Sequence, residues 1–260
     1  MTYRPSDEAL MQLAATLAAE AGALILRVRE RGFAVDRKVD RTLVTDADSA
    51  AEALILEGLR RMDPAIPVIA EEEAAAGIAP EAGAETEFWL VDPLDGTRDF
   101  VAGLDDFAVN IGLVRHGRPV LGAVGVPARG QVFYGQVGHG AFRRDQAGDH
   151  PIAARRPPDA GLTLVVSRFH GDGLPHLPAM LAGRPIAQMI RMGSAAKFCW
   201  VADGRADCYP RQGRTMEWDS AAPQAVVEAA GGRVLSAEDE APLSYGKPGW
   251  ENPGIFCVGR

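Results

Sequence analysis

The chain has 260 residues, of which 47% are hydrophobic, so it can bury a sizeable core and is expected to fold as one compact enzyme or as two tightly packed halves. Its formal net charge of -8 argues against a general nucleic-acid binder, whose affinity would depend on a Lys/Arg surface facing phosphates. A single nucleotide bound in a pocket remains compatible with this charge.

The first predicted element is an amphipathic helix from Ser6 to about Glu30, because apolar residues recur there with i, i+3, i+4 spacing and Ser6 can serve as the N-cap. A second helix is predicted from about Ala47 to Met62. Gly and Pro then separate short runs that are typical of strands, with a turn predicted at His116-Gly117-Arg118-Pro119. These runs are Val68-Ile69, Phe88 to Val91, Ala108 to Val114, Val120 to Val126 and Gln131 to Tyr134.

A junction is predicted at Ala147 to Ala160, which is rich in Pro, Arg and Asp and lacks periodicity. It would separate an N-terminal α+β half, residues 1–150, from a C-terminal α/β half, residues 151–260. In the second half, Leu162 to Val166 predicts a buried strand, helical patterns lie near 194–203 and 219–230, and Gly231-Gly232 supplies a C-cap. This order of elements indicates helices and sheets stacked in layers.

The three cysteines, Cys199, Cys208 and Cys257, lack the spacing of a zinc site and are odd in number, which favours reduced thiols over a disulfide framework. The first residues do not have the pattern of a secretory signal, and no uninterrupted apolar run approaches the roughly 20 residues that span a bilayer. We therefore expect a cytoplasmic protein without a transmembrane segment, either a monomer or a homodimer. A peripheral association with the inner membrane remains open.

The segment from Phe88 to Thr97 carries the clearest chemical signal, because an apolar strand delivers Asp92 and Asp95 into a turn that contains Pro and Gly. Paired carboxylates with a free backbone carbonyl between them suit Mg²⁺, which takes oxygen ligands. In an extended strand the two side chains would point to opposite faces, so a shared site requires the turn to bring them together. The alternative is a turn whose side chains bond only their own backbone.

Two further acidic segments lie at predicted element ends. Glu71-Glu72-Glu73 follows an apolar strand and by itself is typical of a solvated loop, while Asp219 lies at a predicted helix N-terminus, where capping is the usual role. Neither alternative explains why three separate strand or helix ends carry acids in one small protein.

Together these segments resemble the three signature blocks of the inositol monophosphatase superfamily, in the same order and at about the same separations. The blocks are Ala70-Glu71-Glu72, then Trp89-Leu-Val-Asp92-Pro-Leu-Asp95-Gly-Thr97, then Trp218-Asp219-Ser-Ala-Ala with Glu228-Ala-Ala-Gly-Gly. The similarity extends from near Lys38 to Asn252-Pro253-Gly254. It implies a layered αβαβα sandwich of the inositol monophosphatase and fructose-1,6-bisphosphatase type, and a magnesium-dependent phosphatase.

The resemblance also implies a site for two or three Mg²⁺ ions. It assigns one ion to Glu71, Asp92 and the carbonyl of Leu94, and a second to Asp92, Asp95 and Asp219, with Glu72 and Lys38 supporting these ligands. Two ions roughly 3.5–4 Å apart clamp a phosphate and activate a water for in-line attack. Phosphoryl transfer demands mostly positioning and charge neutralisation, so such a site needs no covalent nucleophile.

By the same resemblance, Asp48 and Thr97 would orient and deprotonate the attacking water. The pattern Thr45-x-x-Asp48 is also close to a capping box, although Glu or Gln is the usual partner. The backbone amides of Gly96 and Thr97 would hold phosphate oxygens.

Within the superfamily, several segments resemble the bacterial 3'(2'),5'-bisphosphate nucleotidases more closely than the inositol phosphatases. They are Met192-Gly193-Ser194-Ala-Ala-Lys197-Phe-Cys199, Tyr209-Pro-Arg211, Ser167-Arg168-Phe169-His170 and Asp92-Pro-Leu-Asp95-Gly-Thr97-Arg98-Asp99-Phe100. This chain departs from the pattern with Arg98-Asp99 for Lys-Glu, Ser220 for Thr, and Phe169 for a small residue. The substrate residues implied are Gly96, Thr97, Gly193, Ser194, Lys197 and Arg211.

Inositol phosphatases usually carry an acid near Arg211, where it accepts bonds from ring hydroxyls, whereas a base there suits a second phosphate. Arg211 would supply a planar, bidentate donor and Lys197 a point charge. The alternative for each is a surface cation, and His116 and His170 are interpreted as polar surface residues.

The function expected from the sequence is hydrolysis of the 3'-phosphate of adenosine 3',5'-bisphosphate to AMP and phosphate, which would clear a by-product of sulfate assimilation. The resemblance implies inhibition by millimolar Li⁺ and by excess Mg²⁺. An inositol-1-phosphate or histidinol-phosphate phosphatase using the same metals is the alternative. A catalytically silent metal-binding protein would be expected to have lost part of the set Glu71, Asp92, Asp95, Thr97 and Asp219.

Overall fold

The two helices predicted in the first half are present, and two short helices that the sequence did not indicate follow them. The computed structural model describes residues 4–37, 43–169 and 176–260. Ser6 caps the first helix, since its hydroxyl accepts a hydrogen bond from the Ala9 amide at 3.2 Å. Within the described ranges the helices are α1 (Asp7–Arg31), α2 (Asp46–Met62), α3 (Glu71–Ala75), α4 (Thr97–Val101), α5 (Ala196–Ala202) and α6 (Ala221–Ala229).

All six strands predicted from the sequence are present, and the described ranges hold others that the sequence did not indicate. The strands are β1 (Val35–Arg37), β2 (Leu43–Thr45), β3 (Val68–Ala70), β4 (Glu87–Asp95), β5 (Ala108–Arg115), β6 (Arg118–Val126), β7 (Gln131–Gln136), β8 (Gly140–Asp145), β9 (Gly148–Ile152), β10 (Leu162–Ser167), β11 (Ile186–Met192), β12 (Cys208–Arg211), β13 (Thr215–Met216), β14 (Arg233–Ser236), β15 (Glu251–Asn252) and β16 (Ile255–Val258).

Two segments differ in detail from the sequence prediction. The proposed junction at Ala147 to Ala160 begins too early, because β9 pairs antiparallel with β8. β9 is an edge strand, and an edge tolerates Pro151 and polar residues since only one side of the strand needs hydrogen bonds. The predicted turn is limited to His116 and Gly117, both at positive φ, as suits a two-residue hairpin turn between twisted strands.

A seven-stranded sheet forms the centre of the N-terminal part, in the order β3-β4-β5-β6-β7-β8-β9. β3 pairs parallel with β4, and β4 pairs antiparallel with β5. Helices α1 and α2 pack on one face and α6 on the other, so both faces are buried. Along β4, Phe88 and Leu90 join the core beneath α6, while Trp89 and Val91 join the core beneath α1 and α2, as the two-residue period of a strand requires.

A five-stranded sheet, in the order β11-β10-β12-β16-β14, forms the second β layer. Helix α5 contacts β10, β12 and β16, and it also contacts α6 and β6 on its other side, so it lies between the two sheets. The far face of this sheet packs against Leu181 of a short 3₁₀ helix, Ala179–Leu181. The structure thus confirms the layered mixed α and β sandwich predicted from the sequence.

Helix α1 is long and apolar enough to cross a membrane by length and composition alone. Half of its most apolar stretch is buried inside the protein, where the helix packs on α2 and β6. These contacts are those of a core helix in this fold.

Candidate active site

The predicted site residues gather around one cavity of about 300 Å³. It opens between the end of β4, the end of β10 and the start of α5. Asp48 and Glu72 do not line it, and Lys38 lies outside the described residues. The predicted residues that line the cavity are Glu71, Asp92, Leu94, Asp95, Gly96, Thr97, Gly193, Ser194, Lys197, Arg211 and Asp219.

A β-bulge places Asp92 and Asp95 on one face of β4. Asp92 pairs with Asn110 and Asp95 with Ala108, so three steps along β4 oppose two steps along β5. The extra residue makes the two aspartates equivalent to neighbours at i and i+2, which share a face of a strand. The Asp92 carboxylate also accepts a hydrogen bond from the Leu94 amide at 3.0 Å. Asp92 therefore bonds its own backbone, as the alternative expected, and also shares a face of β4 with Asp95.

The other two acidic residues reach this point through their neighbours in the fold. Ala70 pairs with Val91, and Glu71 follows it directly at the start of α3, so Glu71 lies next to Asp92. Asp219 ends a short 3₁₀ helix just before α6. α6 comes close to the sheet because Gly112 lies beneath Ala222, and a Cβ there would approach the Ala222 amide nitrogen to 2.6 Å.

Burial and mutual repulsion raise the pKa values of these aspartates. The pKa of Asp92 lies well above its ordinary value, because the side chain is buried and because Glu71, Asp95 and Asp219 are close enough to repel its charge. Burial and the charges of Asp95 and Glu71 raise the pKa of Asp219 to about 8. A divalent cation would relieve this repulsion.

The donor chemistry fits Mg²⁺, since the acidic side of the cavity offers carboxylates and the Leu94 peptide to a hard cation. Within the described ranges, no three carboxylate, imidazole or thiolate side chains already converge on one ion-sized point. When bound, the ions would polarise a phosphate and lower the pKa of a coordinated water.

Stability of the metal-free protein is expected to fall as pH rises from about 4 to 8. The folded state binds more protons than the unfolded chain in this window, because the pKa of Asp219 rises from 3.8 to about 8 and that of Glu52 from 4.5 to about 7. Mg²⁺ favours the ionised carboxylates, so its stabilising effect should increase through the same window. Urea unfolding at several pH values, with EDTA or with Mg²⁺, measures both trends. Asp219→Asn should flatten the metal-free profile, and a free energy of unfolding that rises with pH would contradict the interpretation.

Asp48 contacts both its own helix cap and Thr97, a residue that lines the cavity. Its Oδ2 accepts hydrogen bonds from the Thr45 amide at 2.8 Å and the Thr45 hydroxyl at 2.6 Å, which completes a capping box. Its Oδ1 lies 3.4 Å from the Thr97 hydroxyl, which is also 3.1 Å from the Leu94 carbonyl. Burial is the main cause of the raised pKa of Asp48. Capping and contact with Thr97 therefore coexist in one carboxylate.

The lining of the same cavity also carries positive charge, from Lys197 and Arg211. Lys197 is buried, donates to the Ser194 carbonyl at 2.6 Å and lies 5.0 Å from the centre of the Tyr209 ring. Arg211 lies 3.4 Å from the Ser167 hydroxyl, and its Nε is buried without a hydrogen-bond acceptor among the described residues. A ligand phosphate would supply such an acceptor.

Sequence reasoning missed Glu52, which fixes the helix that carries Glu71. Its carboxylate accepts hydrogen bonds from the amides of Glu72 and Glu73 at 2.8 and 3.0 Å, and so caps the start of α3. Burial is the main cause of its raised pKa. Glu52 lies four residues after Asp48 and three before Ile55, so an acid on the apolar stripe of α2 was the available signal.

Glu217, also missed, fixes the segment that carries Asp219. It is fully buried, forms an ion pair with Lys247 Nζ at 2.6 Å and accepts a hydrogen bond from the Gly246 amide at 2.7 Å. Lys247 also donates to Asn252, whose amide group contacts the Ser220 hydroxyl at 2.7 Å. A buried network therefore holds the residues on both sides of Asp219.

Comparisons with known proteins show which sequences this chain resembles. A sequence model of the inositol monophosphatase family matches residues 6–254. The 3'(2'),5'-bisphosphate nucleotidase CysQ of Escherichia coli K12 is 38% identical over 244 residues, which are 92% of this chain and 95% of that protein. CysQ of Salmonella typhimurium is 37% identical over 250 residues, which are 95% of this chain and 98% of its own.

Solved structures of the same family superpose on this chain. CysQ from Bacteroides thetaiotaomicron, a bacterial member of the inositol monophosphatase family, superposes with a TM-score of 0.77 at 28% identity, covering 97% of this chain and 98% of that one. Inositol monophosphatase from Anabaena superposes with a TM-score of 0.72 at 26% identity, covering 96% and 90%.

Proposed function

This chain belongs to the inositol monophosphatase family, and we propose that its reaction is removal of the 3'-phosphate from adenosine 3',5'-bisphosphate to give AMP and phosphate. It is a phosphatase, as its family and its curated relatives are. The observation that carries the substrate proposal is that one cavity lining holds both charges, with Asp92, Asp95 and Asp219 as its acids and Lys197 and Arg211 as its bases. A substrate with two phosphates matches this pattern.

The acidic side would receive the phosphate that is cleaved, together with two or three Mg²⁺ ions held by Glu71, the three aspartates and the Leu94 carbonyl. The amides of Gly96 and Thr97 would donate to its oxygens from the first turn of α4. Asp48 would accept a proton from the attacking water through the Thr97 hydroxyl. Lys197 and Arg211 would neutralise the phosphate that remains on AMP.

The biological setting follows from this chemistry. Clearing adenosine 3',5'-bisphosphate would serve sulfate assimilation in the cytoplasm, and inhibition by Li⁺ and by excess Mg²⁺ is expected of an enzyme that releases phosphate from such a metal site. The three cysteines are buried and unpaired, which is compatible with a reducing compartment.

The substrate proposal predicts a selective loss in Arg211→Ala. The variant should lose about 30- to 1000-fold in kcat/KM with adenosine 3',5'-bisphosphate, the range for truncating one partner of a desolvated charge pair. With 2'-AMP, which lacks the second phosphate, the loss should be far smaller. Steady-state phosphate release measures both.

Arg233→Ala is the matched control, because Arg233 is exposed, contacts Met180 and does not line the cavity. It should leave both substrates nearly unchanged. Equal losses on the two substrates in Arg211→Ala would remove the physical argument for a bisphosphate nucleotide, and the inositol or histidinol phosphate alternative would then be favoured.

A further inference from the structure

Phe169 is the one aromatic side chain among the described residues that line the active-site cavity. Half of this large apolar side chain, 51%, is exposed. An exposed aromatic ring gains nothing from the hydrophobic effect until another apolar surface covers it. The position also departs from the small residue that the bisphosphate nucleotidase pattern has there.

The backbone that carries Phe169 is firmly anchored. The preceding residue, Arg168, forms ion pairs with the buried carboxylates of Asp99 and Asp106, and Asp106 is held in turn by Arg129 at 2.8 Å. The Arg168 amide also donates to the Met192 carbonyl at 3.3 Å. The ring is therefore presented from a fixed point at the end of β10.

The carboxylates of Asp99 and Asp106 also hold the turn that precedes Lys197 in the cavity lining. The Gly193 amide donates to Asp106 at 3.3 Å, and a Cβ on Gly193 would come within 2.4 Å of Asp99, so this turn packs tightly on the two aspartates. Ser194 follows, with its carbonyl on Lys197. The residue before Phe169 and the turn before Lys197 are thus held by the same two buried aspartates.

A substrate whose two phosphates contact the acidic and the basic residues of the 300 Å³ cavity must place its remaining group against the rest of the lining or beyond it. In a nucleoside bisphosphate that group is the base, a flat ring with two π faces. Bases stack on exposed aromatic side chains with little dependence on their hydrogen-bonding edges. The exposed ring at the cavity lining offers such a surface.

We propose that Phe169 is a specificity-determining residue that stacks on the nucleobase of the substrate. This inference rests on the proposed function, since it requires a nucleotide in the cavity. It adds a source of discrimination that the two phosphates cannot supply, because a base-free sugar bisphosphate carries the same charges.

The test compares kcat/KM for adenosine 3',5'-bisphosphate and for its base-free analogue, 1-deoxyribose 3,5-bisphosphate. Phe169→Ala should lose about 5- to 100-fold with the nucleotide, the effect of removing one stacking partner, and should keep its activity on the base-free compound. Phe169→Tyr, which retains the ring, should keep most activity on both. Met189→Ala is the matched control, because Met189 is an exposed apolar residue on β11 that does not line the cavity.

The possible outcomes distinguish the stacking role of Phe169 from the proposed nucleotidase function. Equal losses on both substrates, or no loss on the nucleotide, would overturn the stacking role while leaving the nucleotidase intact. A parent enzyme that cleaves the base-free compound as well as the nucleotide would overturn it too. A parent enzyme that releases phosphate from inositol 1-phosphate and from neither bisphosphate would refute the proposed function, and the stacking role with it.

Discussion

Replacing Asp92 by asparagine is expected to abolish turnover while the fold survives. Asp92 lies between Glu71, Asp95 and Asp219 at the centre of the acidic side, and it would contribute to both metal positions. Losing a shared anionic ligand removes the phosphate clamp and the activated water together. Asparagine keeps the carbonyl oxygen that accepts the Leu94 amide, so the turn can persist. Asp95→Asn and Asp219→Asn should act similarly.

Asp239→Asn provides a matched control for this variant. Asp239 makes the same local contact, accepting from the Ala241 amide two residues on at 3.1 Å, but it lies far from the cavity lining. Initial rates of phosphate release and the thermal unfolding midpoint would be measured for both. Activity of Asp92→Asn within about tenfold of the parent would refute the metal-site assignment.

Thr97→Val should reduce kcat by about 10²–10⁴, the range for a lost general-base contribution, while the Mg²⁺ concentration giving half-maximal rate stays nearly unchanged. The substitution preserves shape and removes the hydroxyl that lies between Asp48 and the Leu94 carbonyl. Thr97→Ser, which restores a hydroxyl, should recover most of the rate. A magnesium titration of each variant separates rate from affinity, and a parallel loss of metal affinity would reassign Thr97 to the metal ligands.

The central strands could be predicted because a strand that is buried on both faces is a continuous run of apolar residues. Runs such as Phe88 to Val91 read as strands without reference to their partners, and Ser6 caps its helix through a contact three residues away. Each acidic segment is a short continuous stretch of sequence. Its residue types could therefore be recognised before its place in the fold was known.

The bulge in β4 could not be predicted, because it depends on how β4 registers against β5. Asp92 and Asp95 looked as if they needed a full turn to converge, whereas one extra residue within the strand achieves this. Strand β9 escaped notice for a related reason. Its pairing with β8 is tertiary, and its composition resembles that of a loop because it forms a sheet edge.

The supporting residues of the site were the hardest to identify. Glu217 has no partner near it in the sequence, because Lys247 lies thirty residues later in the chain and only the fold brings the two together. Glu52 left a weak trace on the apolar stripe of α2, but its target, the start of α3, is again set by tertiary packing.

The most direct test of the account is a phosphate-release panel on the parent protein with and without Mg²⁺. It would compare adenosine 3',5'-bisphosphate, inositol 1-phosphate, fructose 1,6-bisphosphate and histidinol phosphate at matched concentrations. The account predicts magnesium-dependent release with kcat/KM for adenosine 3',5'-bisphosphate at least about tenfold above the others. A higher kcat/KM for inositol 1-phosphate or histidinol phosphate, or release that is independent of Mg²⁺, would contradict it.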